Sequence, residues 1–104
     1  MKVAISANGN SRDSQVDSRF GRCAYFAIYD TESRQLDFIE NTARTAEEGA
    51  GPAAVGLVAN CGVSKIVSGE FGFKIKGMLG DLHIQMVMMK EPKTIDEIVT
   101  LLNH

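Results

Sequence analysis

A chain of 104 residues has room for one domain with a single hydrophobic core. Its hydrophobic fraction of 44% and charged fraction of 23% are typical of a soluble globular protein. The net charge of −2 gives no general attraction to nucleic acid or to an anionic membrane, so any binding of anions must be local. We therefore predict one domain over residues 1–104, with neither nucleic acid nor membrane as a partner.

The two cysteines, Cys23 and Cys61, are too few for a disulfide framework and form no Cys-x-x-Cys pair. The segment Met1–Asn10 carries no signal-like apolar region, and no apolar run in the sequence is long enough to span a bilayer. These features predict a reducing, cytoplasmic location in which both thiols stay free.

Three strands are predicted in the first half of the chain. Val3–Ala7 is a short apolar run that ends at Asn8-Gly9-Asn10, which indicates a buried strand followed by a loop. Ala24–Asp30 and Leu36–Glu40 are rich in β-forming residues and are separated by turn residues. We expect these two strands to pair as a hairpin.

The second half of the chain alternates helices with strands. The first helix is predicted to have Pro52 at its first position and to end before Gly62. The remaining elements are a strand over Ser64–Ser68, a helix that contains Phe71 and Ile75 and closes at Gly80-Asp81, a strand over Leu82–Met89, and a helix opened by the capping box Thr94-x-x-Glu97.

The resulting order β-β-β-α-β-α-β-α predicts an α/β fold with a mixed five-stranded sheet and three helices on its faces. Right-handed crossovers would place the strands that follow the first two helices beside the first strand. In such sheets, ligands bind outside the carboxyl ends of parallel strands. Those ends are predicted at Ala7–Asn10, Gly69–Gly72 and Lys90–Pro92, with the helix start at Gly49–Pro52 nearby.

The stretch Ser18–Phe26 concentrates residues that could bind a ligand. Arg19 and Arg22 can form forked hydrogen bonds to an anion, and Gly21 allows close approach of the backbone. Cys23 could supply a soft ligand or a nucleophile. The alternative is that the aromatic rings belong to the core, the arginines are solvated, and the cysteine acts as a small hydrophobe.

Two glycine-rich turns could present backbone N–H groups to the same anion. Gly49 and Gly51 lie at a predicted helix start, and Gly69 and Gly72 follow a predicted buried strand. The first turn lacks the lysine and spacing of a P-loop, and it matches no dinucleotide fingerprint. Simple tight turns are the alternative for both segments.

Catalytic arrangements are not visible in the sequence. The carboxylates are too dispersed to nominate a catalytic pair, and the only histidines are His83 and His104, so no Ser-His-Asp triad can be argued. Met86, Met88 and Met89 carry soft sulfur atoms, but core positions on a strand explain them better than copper binding. We predict a binding protein and not an enzyme.

Short motifs occur along nearly the whole chain. They are Met1-Lys2-Val3-Ala4-Ile5, Ser18-Arg19-Phe20-Gly21-Arg22-Cys23-Ala24-Tyr25-Phe26, Glu40-Asn41, Gly49-Ala50-Gly51-Pro52, Gly62-Val63, and Ile66-Val67-Ser68-Gly69 with Gly72. Their order and spacing, more than any one motif, resemble the dinitrogenase iron–molybdenum cofactor biosynthesis family.

The resemblance implies a ribonuclease H-like topology without nuclease chemistry. It also implies a small carrier or scaffold for a metal–sulfur cluster, such as an iron–molybdenum cofactor precursor or a related molybdenum-type oxo- or thio-anion. Transient binding would allow the protein to be purified apo and to exchange its cluster with a donor or acceptor protein, and we expect a monomer or weak dimer. A regulatory or protein-interaction module without bound metal is the alternative.

The family often has histidine at the position of Arg19, and a guanidinium cannot coordinate a metal. We therefore expect electrostatic capture of the cluster, with Cys23 as the single metal ligand. The predicted cluster-binding residues are Arg19, Phe20, Gly21, Arg22, Cys23, Gly49, Gly51, Gly69 and Gly72.

Overall fold

The computed structural model describes residues 1–103, which form one five-stranded sheet and three helices in the predicted order. The elements are β1 (Lys2–Ala7), β2 (Tyr25–Asp30), β3 (Leu36–Glu40), α1 (Ala50–Asn60), β4 (Val63–Ser68), α2 (Phe73–Asp81), β5 (Gln85–Met88) and α3 (Ile95–Leu102). The predicted α/β class, mixed sheet and element order are confirmed. No helix within residues 1–103 combines the length and the apolar character needed to cross a membrane.

The strands lie in the order β3-β2-β1-β4-β5. β1 pairs in parallel with β4, and β4 pairs in parallel with β5, whereas β2 and β3 run antiparallel. The carboxyl ends of β1, β4 and β5 therefore share one edge of the sheet. All three helices begin at that edge. α2 and α3 follow the carboxyl ends of β4 and β5. α1 runs from the same edge back to the start of β4.

The sheet is covered on both faces, which explains why β1 is apolar along nearly its whole length. Side chains alternate between the faces, as the period of a strand requires. Ala4 packs in the cluster beneath α1 and α2, whereas Val3 and Ile5 pack in the cluster beneath α3. Both faces of the central strand β1 are thus buried.

Several boundaries differ from the sequence prediction. α1 begins at Ala50, so Pro52 is its third residue and not its first. α2 begins at Phe73, because Gly72 has extended backbone angles and caps the helix, so Phe71 lies before the helix and not within it. β5 is also shorter than predicted, because Leu82 caps the end of α2 and His83 has a φ of 57°.

The capping box at the start of α3 is confirmed, and its energetic effect can be measured. The Thr94 side chain accepts a hydrogen bond from the Glu97 N–H, and the Glu97 carboxylate accepts one from the Thr94 N–H. Thr94→Ala should lower the free energy of unfolding by about 1 kcal/mol in urea denaturation, because one N–H group at the start of the helix loses its partner. Thr100→Ala, at an exposed position of the same helix, should not lower it. Equal losses in both variants would contradict the assignment.

Candidate functional site

A cleft of about 480 Å³ lies at the carboxyl ends of β1, β4 and β5. Part of the lining is formed by residues 15–19, which we call the strap. Residues 89–92, which follow β5, form another part, and Asn8 and Gly69 complete the lining. The cleft is at the sheet edge where the sequence predicts ligand binding, and it includes two of the predicted site residues, Arg19 and Gly69.

The strap is held in place by backbone hydrogen bonds to several elements. The Asp17 N–H donates to the Ser6 carbonyl of β1 at 2.8 Å, and the Gly69 N–H donates to the Asp17 carbonyl at 3.1 Å. The Val16 N–H donates to the carbonyl of Lys93, just before α3, at 2.9 Å. These bonds join the strap to the ends of β1 and β4 and to the start of α3, so this part of the cleft lining has a defined position.

Gly69 is needed for close packing against the strap. A Cβ atom at this position would lie 2.5 Å from the Cα of Ser18, closer than real Cβ atoms come to backbone. Because the Gly69 N–H is already donated to Asp17, it is not available to a ligand. The prediction that Gly69 offers a bare amide is therefore wrong, although its position at the cleft is correct.

Arg19 presents the guanidinium of the cleft and is paired with Asp17. Its Nε lies 3.3 Å from Oδ1 of Asp17, and its Nη2 lies 3.5 Å from Oδ2. The Arg19 side chain is 63% exposed, whereas that of Asp17 is 8% exposed. Within residues 1–103, Nη1 of Arg19 has no hydrogen-bond partner, so it can donate to an anion in the cleft.

Charges of both signs line the cleft. Lys90 lines the cleft together with Arg19, and the carboxylates of Asp17 and Glu91 belong to the same lining. The lining therefore carries two cationic and two anionic side chains. Neither Lys90 nor Asp17 is among the residues predicted for the site, although Lys90 lies at the predicted carboxyl end of the last strand.

Arg22 is used differently from Arg19. Its Nη1 donates to the carbonyl oxygens of Arg44 and Ala46, at 2.9 Å and 2.5 Å. Arg22 is exposed but does not line the cleft. The structure therefore separates the two arginines that the sequence suggested would act together.

Asn41 is in the sequence only one member of the Glu40-Asn41 motif, yet its side chain joins the loop before β2 to the loop after β3. It is fully buried, and its Nδ2 donates to the carbonyls of Gly21 and Cys23 at 3.0 Å and 2.9 Å. Its Oδ1 accepts a hydrogen bond from the Ala43 N–H at 3.1 Å. A lone asparagine directly after a predicted strand was the only available signal, and that signal does not identify partners twenty residues away.

Cys23 and Phe20 belong to the core. Cys23 is 0% exposed, and its Sγ donates to the Phe20 carbonyl at 3.3 Å. Burial raises the pKa of the Cys23 thiol to about 12, and the charge of Asp17 acts in the same direction. The ring of Phe20 packs against Phe26 and Phe71, with centroid distances of 5.4 and 5.8 Å. The structure therefore places Cys23 in the core and outside the cleft lining, and its role as a metal ligand stays a prediction.

The other predicted glycines lie close to the same region but pack against other parts of the chain. A Cβ on Gly21 would lie 2.9 Å from the Cα of Gly51, and a Cβ on Gly51 would lie 2.7 Å from Cδ1 of Ile75. Gly49 caps α1 with a φ of 71°, and Gly72 caps α2. The segment after the strap therefore contacts both glycine turns, through Gly21 and Gly51 in the first and through Phe20 and Phe71 in the second. None of the helix-associated glycines Gly49, Gly51 and Gly72 lines the cleft.

The donor atoms present do not suit a metal held by direct bonds. Within residues 1–103, no group of three or more His, Cys, Asp or Glu side chains could hold a metal ion. The sulfur atom in the cleft lining is the thioether of Met89. Arg19 and Lys90 instead suit an anion that is held by charge and hydrogen bonds.

Comparison with known proteins agrees with the motifs. A family model described as dinitrogenase iron-molybdenum cofactor matches residues 1–104. This chain belongs to that family. Within the iron–molybdenum cofactor family, therefore, this member combines a balanced set of charges at the cleft with a cysteine buried in the core.

Three relatives support the same placement. An uncharacterised protein of Methanocaldococcus jannaschii is 33% identical over 104 residues, which cover 97% of this chain and 84% of that protein. The apo form of the orange protein from Desulfovibrio gigas is 29% identical, with a TM-score of 0.89 over 95% of this chain and 83% of that one. A Thermotoga protein of the DUF35 family, provisionally described as a NifB protein, is 31% identical, with a TM-score of 0.82 over 95% and 84%.

The contact between Gly69 and the strap can be tested by adding a methyl group. Gly69→Ala should lower the free energy of unfolding by about 1–3 kcal/mol, because the new atom meets backbone that cannot move without breaking hydrogen bonds. The matched control is Gly77→Ala within α2, where a Cβ has open space and should stabilise by about 0.5–1 kcal/mol. Denaturant melts of both variants measure the difference. An unchanged stability of Gly69→Ala would contradict the close contact.

The burial of Cys23 predicts different reactivities for the two thiols. At pH 8, iodoacetamide should label the half-buried Cys61 in the native protein and leave Cys23 unmodified, because the Cys23 thiol is enclosed and neutral. Mass spectrometry of digested protein measures the label on each residue. The Cys61→Ser variant should take up no label until denaturant is added. Labelling of Cys23 as fast as Cys61 in the native state would overturn the assignment.

Proposed function

We propose that this protein is a small carrier or scaffold that binds an anionic metal–sulfur cluster, or a related molybdenum-type oxo- or thio-anion, as cargo. The cleft at the carboxyl ends of three parallel strands, with both Arg19 and Lys90 in its lining, is the observation that carries the proposal. Membership of a family described by the iron-molybdenum cofactor supports the class of cargo. A binding role, and not catalysis, is part of this proposal.

Charge and hydrogen bonds would hold the cargo in the cleft. The guanidinium of Arg19 keeps Nη1 free for an oxygen or sulfur atom of an anion, while its Nε–Nη2 side faces Asp17, and the Lys90 ammonium adds a point charge. Asp17 and Glu91 offset part of this positive potential. Binding should therefore be weak enough for the cluster to exchange with a donor or acceptor protein, and the protein should often be purified apo.

The proposed site differs from the sequence-based one. It keeps Arg19 as the main contact and adds Lys90, while Arg22 and Cys23 have structural roles in the surrounding loops and core. A direct bond between the cluster and Cys23 is not proposed, because it would require opening the core. The cytoplasmic location and the ribonuclease H-like topology stay predictions, and no nuclease activity is proposed with them.

A protein-interaction module without bound metal is the second candidate. Its support is Phe73, the first residue of α2, whose side chain is 94% exposed near the same edge of the sheet. Aromatic side chains are enriched where proteins contact one another. A partner that docks there would be expected to bind the protein equally well with or without cargo, which distinguishes this candidate from a carrier.

An anaerobic titration with tetrathiomolybdate tests the carrier proposal. We expect a saturable change in the absorption spectrum of the wild-type mixture, and Arg19→Gln should weaken binding by about tenfold because one charge-assisted contact is lost. Arg34→Gln is the matched control, since it removes the same charge from an exposed turn at the opposite edge of the sheet. Cys23→Ser should also leave the affinity unchanged.

The outcomes of this titration separate the proposals. Equal weakening by Arg19→Gln and Arg34→Gln would show that only overall charge matters and would remove the cleft from the proposal. A loss of binding in Cys23→Ser with an intact fold would restore the cysteine as a ligand. Absence of any spectral change with the wild type would count against the carrier function itself.

A further inference from the structure

We propose that Asp17 is a positioning residue, whose buried carboxylate holds the guanidinium of Arg19 in the orientation in which it meets an anion. This inference rests on the proposed function, because it concerns how the same cleft binds its cargo. It assigns to Asp17 a role distinct from contact with the ligand.

The contacts between Asp17 and Arg19 restrict the arginine at both ends. Oδ1 of Asp17 accepts a hydrogen bond from the Arg19 backbone N–H at 2.9 Å and lies 3.3 Å from its Nε. Oδ2 lies 3.5 Å from Nη2. The carboxylate therefore occupies the Nε–Nη2 side of the guanidinium and leaves Nη1 directed away from it. A side chain fixed in this way loses less conformational freedom when an anion binds.

Asp17 is itself held in place by buried polar groups of the sheet. The hydroxyl of Ser6 on β1 lies 2.8 Å from the Asp17 carbonyl oxygen and 2.8 Å from the hydroxyl of Ser68 on β4. Both serines are 0% exposed. The backbone bonds that Asp17 makes to Ser6 and Gly69 add to these contacts. A continuous set of hydrogen bonds thus runs from the centre of the sheet to Arg19, and such satisfied buried networks are rigid.

This arrangement differs from an ordinary surface ion pair. In an exposed pair both side chains move, and the interaction contributes little. Here the carboxylate is almost fully buried and bound at its backbone, while only the arginine reaches solvent. The asymmetry is what a positioning role requires, because the fixed partner determines the orientation of the mobile one.

The comparison of Asp17→Asn with Asp17→Ala isolates positioning from charge. Both variants remove the same negative charge, but asparagine keeps a side-chain oxygen that can accept from Arg19, and alanine does not. We expect Asp17→Asn to bind tetrathiomolybdate about fivefold more tightly than Asp17→Ala at the same ionic strength, because alanine leaves Arg19 free to move. Equal affinities in the two variants would overturn the proposal.

A second measurement needs no ligand. In ¹H–¹⁵N spectra of the ligand-free protein, the Arg19 Nε–H signal should be resolved and slow to exchange in the wild type and in Asp17→Asn. In Asp17→Ala it should shift towards the signal of the exposed Arg34, which serves as the internal reference, and exchange with water as fast. An Arg19 signal in the wild type that overlaps with that of Arg34 and exchanges as fast would overturn the positioning role. If Asp17→Ala fails to fold, the wild type and Asp17→Asn spectra alone decide the question.

The two measurements also separate this inference from the proposed function. A resolved Arg19 Nε–H signal together with no binding of tetrathiomolybdate to the wild type would support the contact with Asp17 and count against the carrier function. Binding that is the same in Asp17→Asn and Asp17→Ala would support the carrier function and overturn the role of Asp17.

Discussion

The close approach of the strap to the end of β4 is the constraint on which the cleft depends. At Gly69 the two backbones come so near that no side chain fits between them, and the Gly69 N–H is used to hold Asp17. Because the strap is also bonded to β1 and to the start of α3, its position follows from the sheet and not from its own conformational preference. Arg19 is the last residue of the strap, so the position of its backbone is fixed by the same contacts.

The fold could be predicted well because its signals are local. Apolar runs, turn residues and the Thr94 capping box identify each element within a few residues of sequence, and the alternation of elements then leaves few topologies. The errors fall at boundaries that depend on tertiary contacts. Phe71 continues the helical apolar pattern, but the extended Gly72 caps the helix after it, and the Phe71 ring packs against Phe20 in the core.

The site was harder to predict, because residue type does not reveal which way a side chain points. Arg19 and Arg22 are three positions apart and chemically identical, yet one faces the cleft and the other binds the carbonyls of Arg44 and Ala46. Cys23 follows directly and faces the core. Long-range pairing decides each of these orientations, and the sequence contains no local pattern that reports it.

The location of Cys23 also bears on what kind of binding protein the chain can be. A thiolate at the cleft would form strong bonds to a soft metal, and release would then require their exchange. With the Cys23 thiol buried and its pKa near 12, the cleft is left with charges and hydrogen bonds. Because Asp17 and Glu91 stand beside Arg19 and Lys90, even this attraction is partly offset. Under the proposed function, both features favour exchange of the cargo over its permanent retention, so affinity should depend on the orientation of Arg19 more than on the total charge.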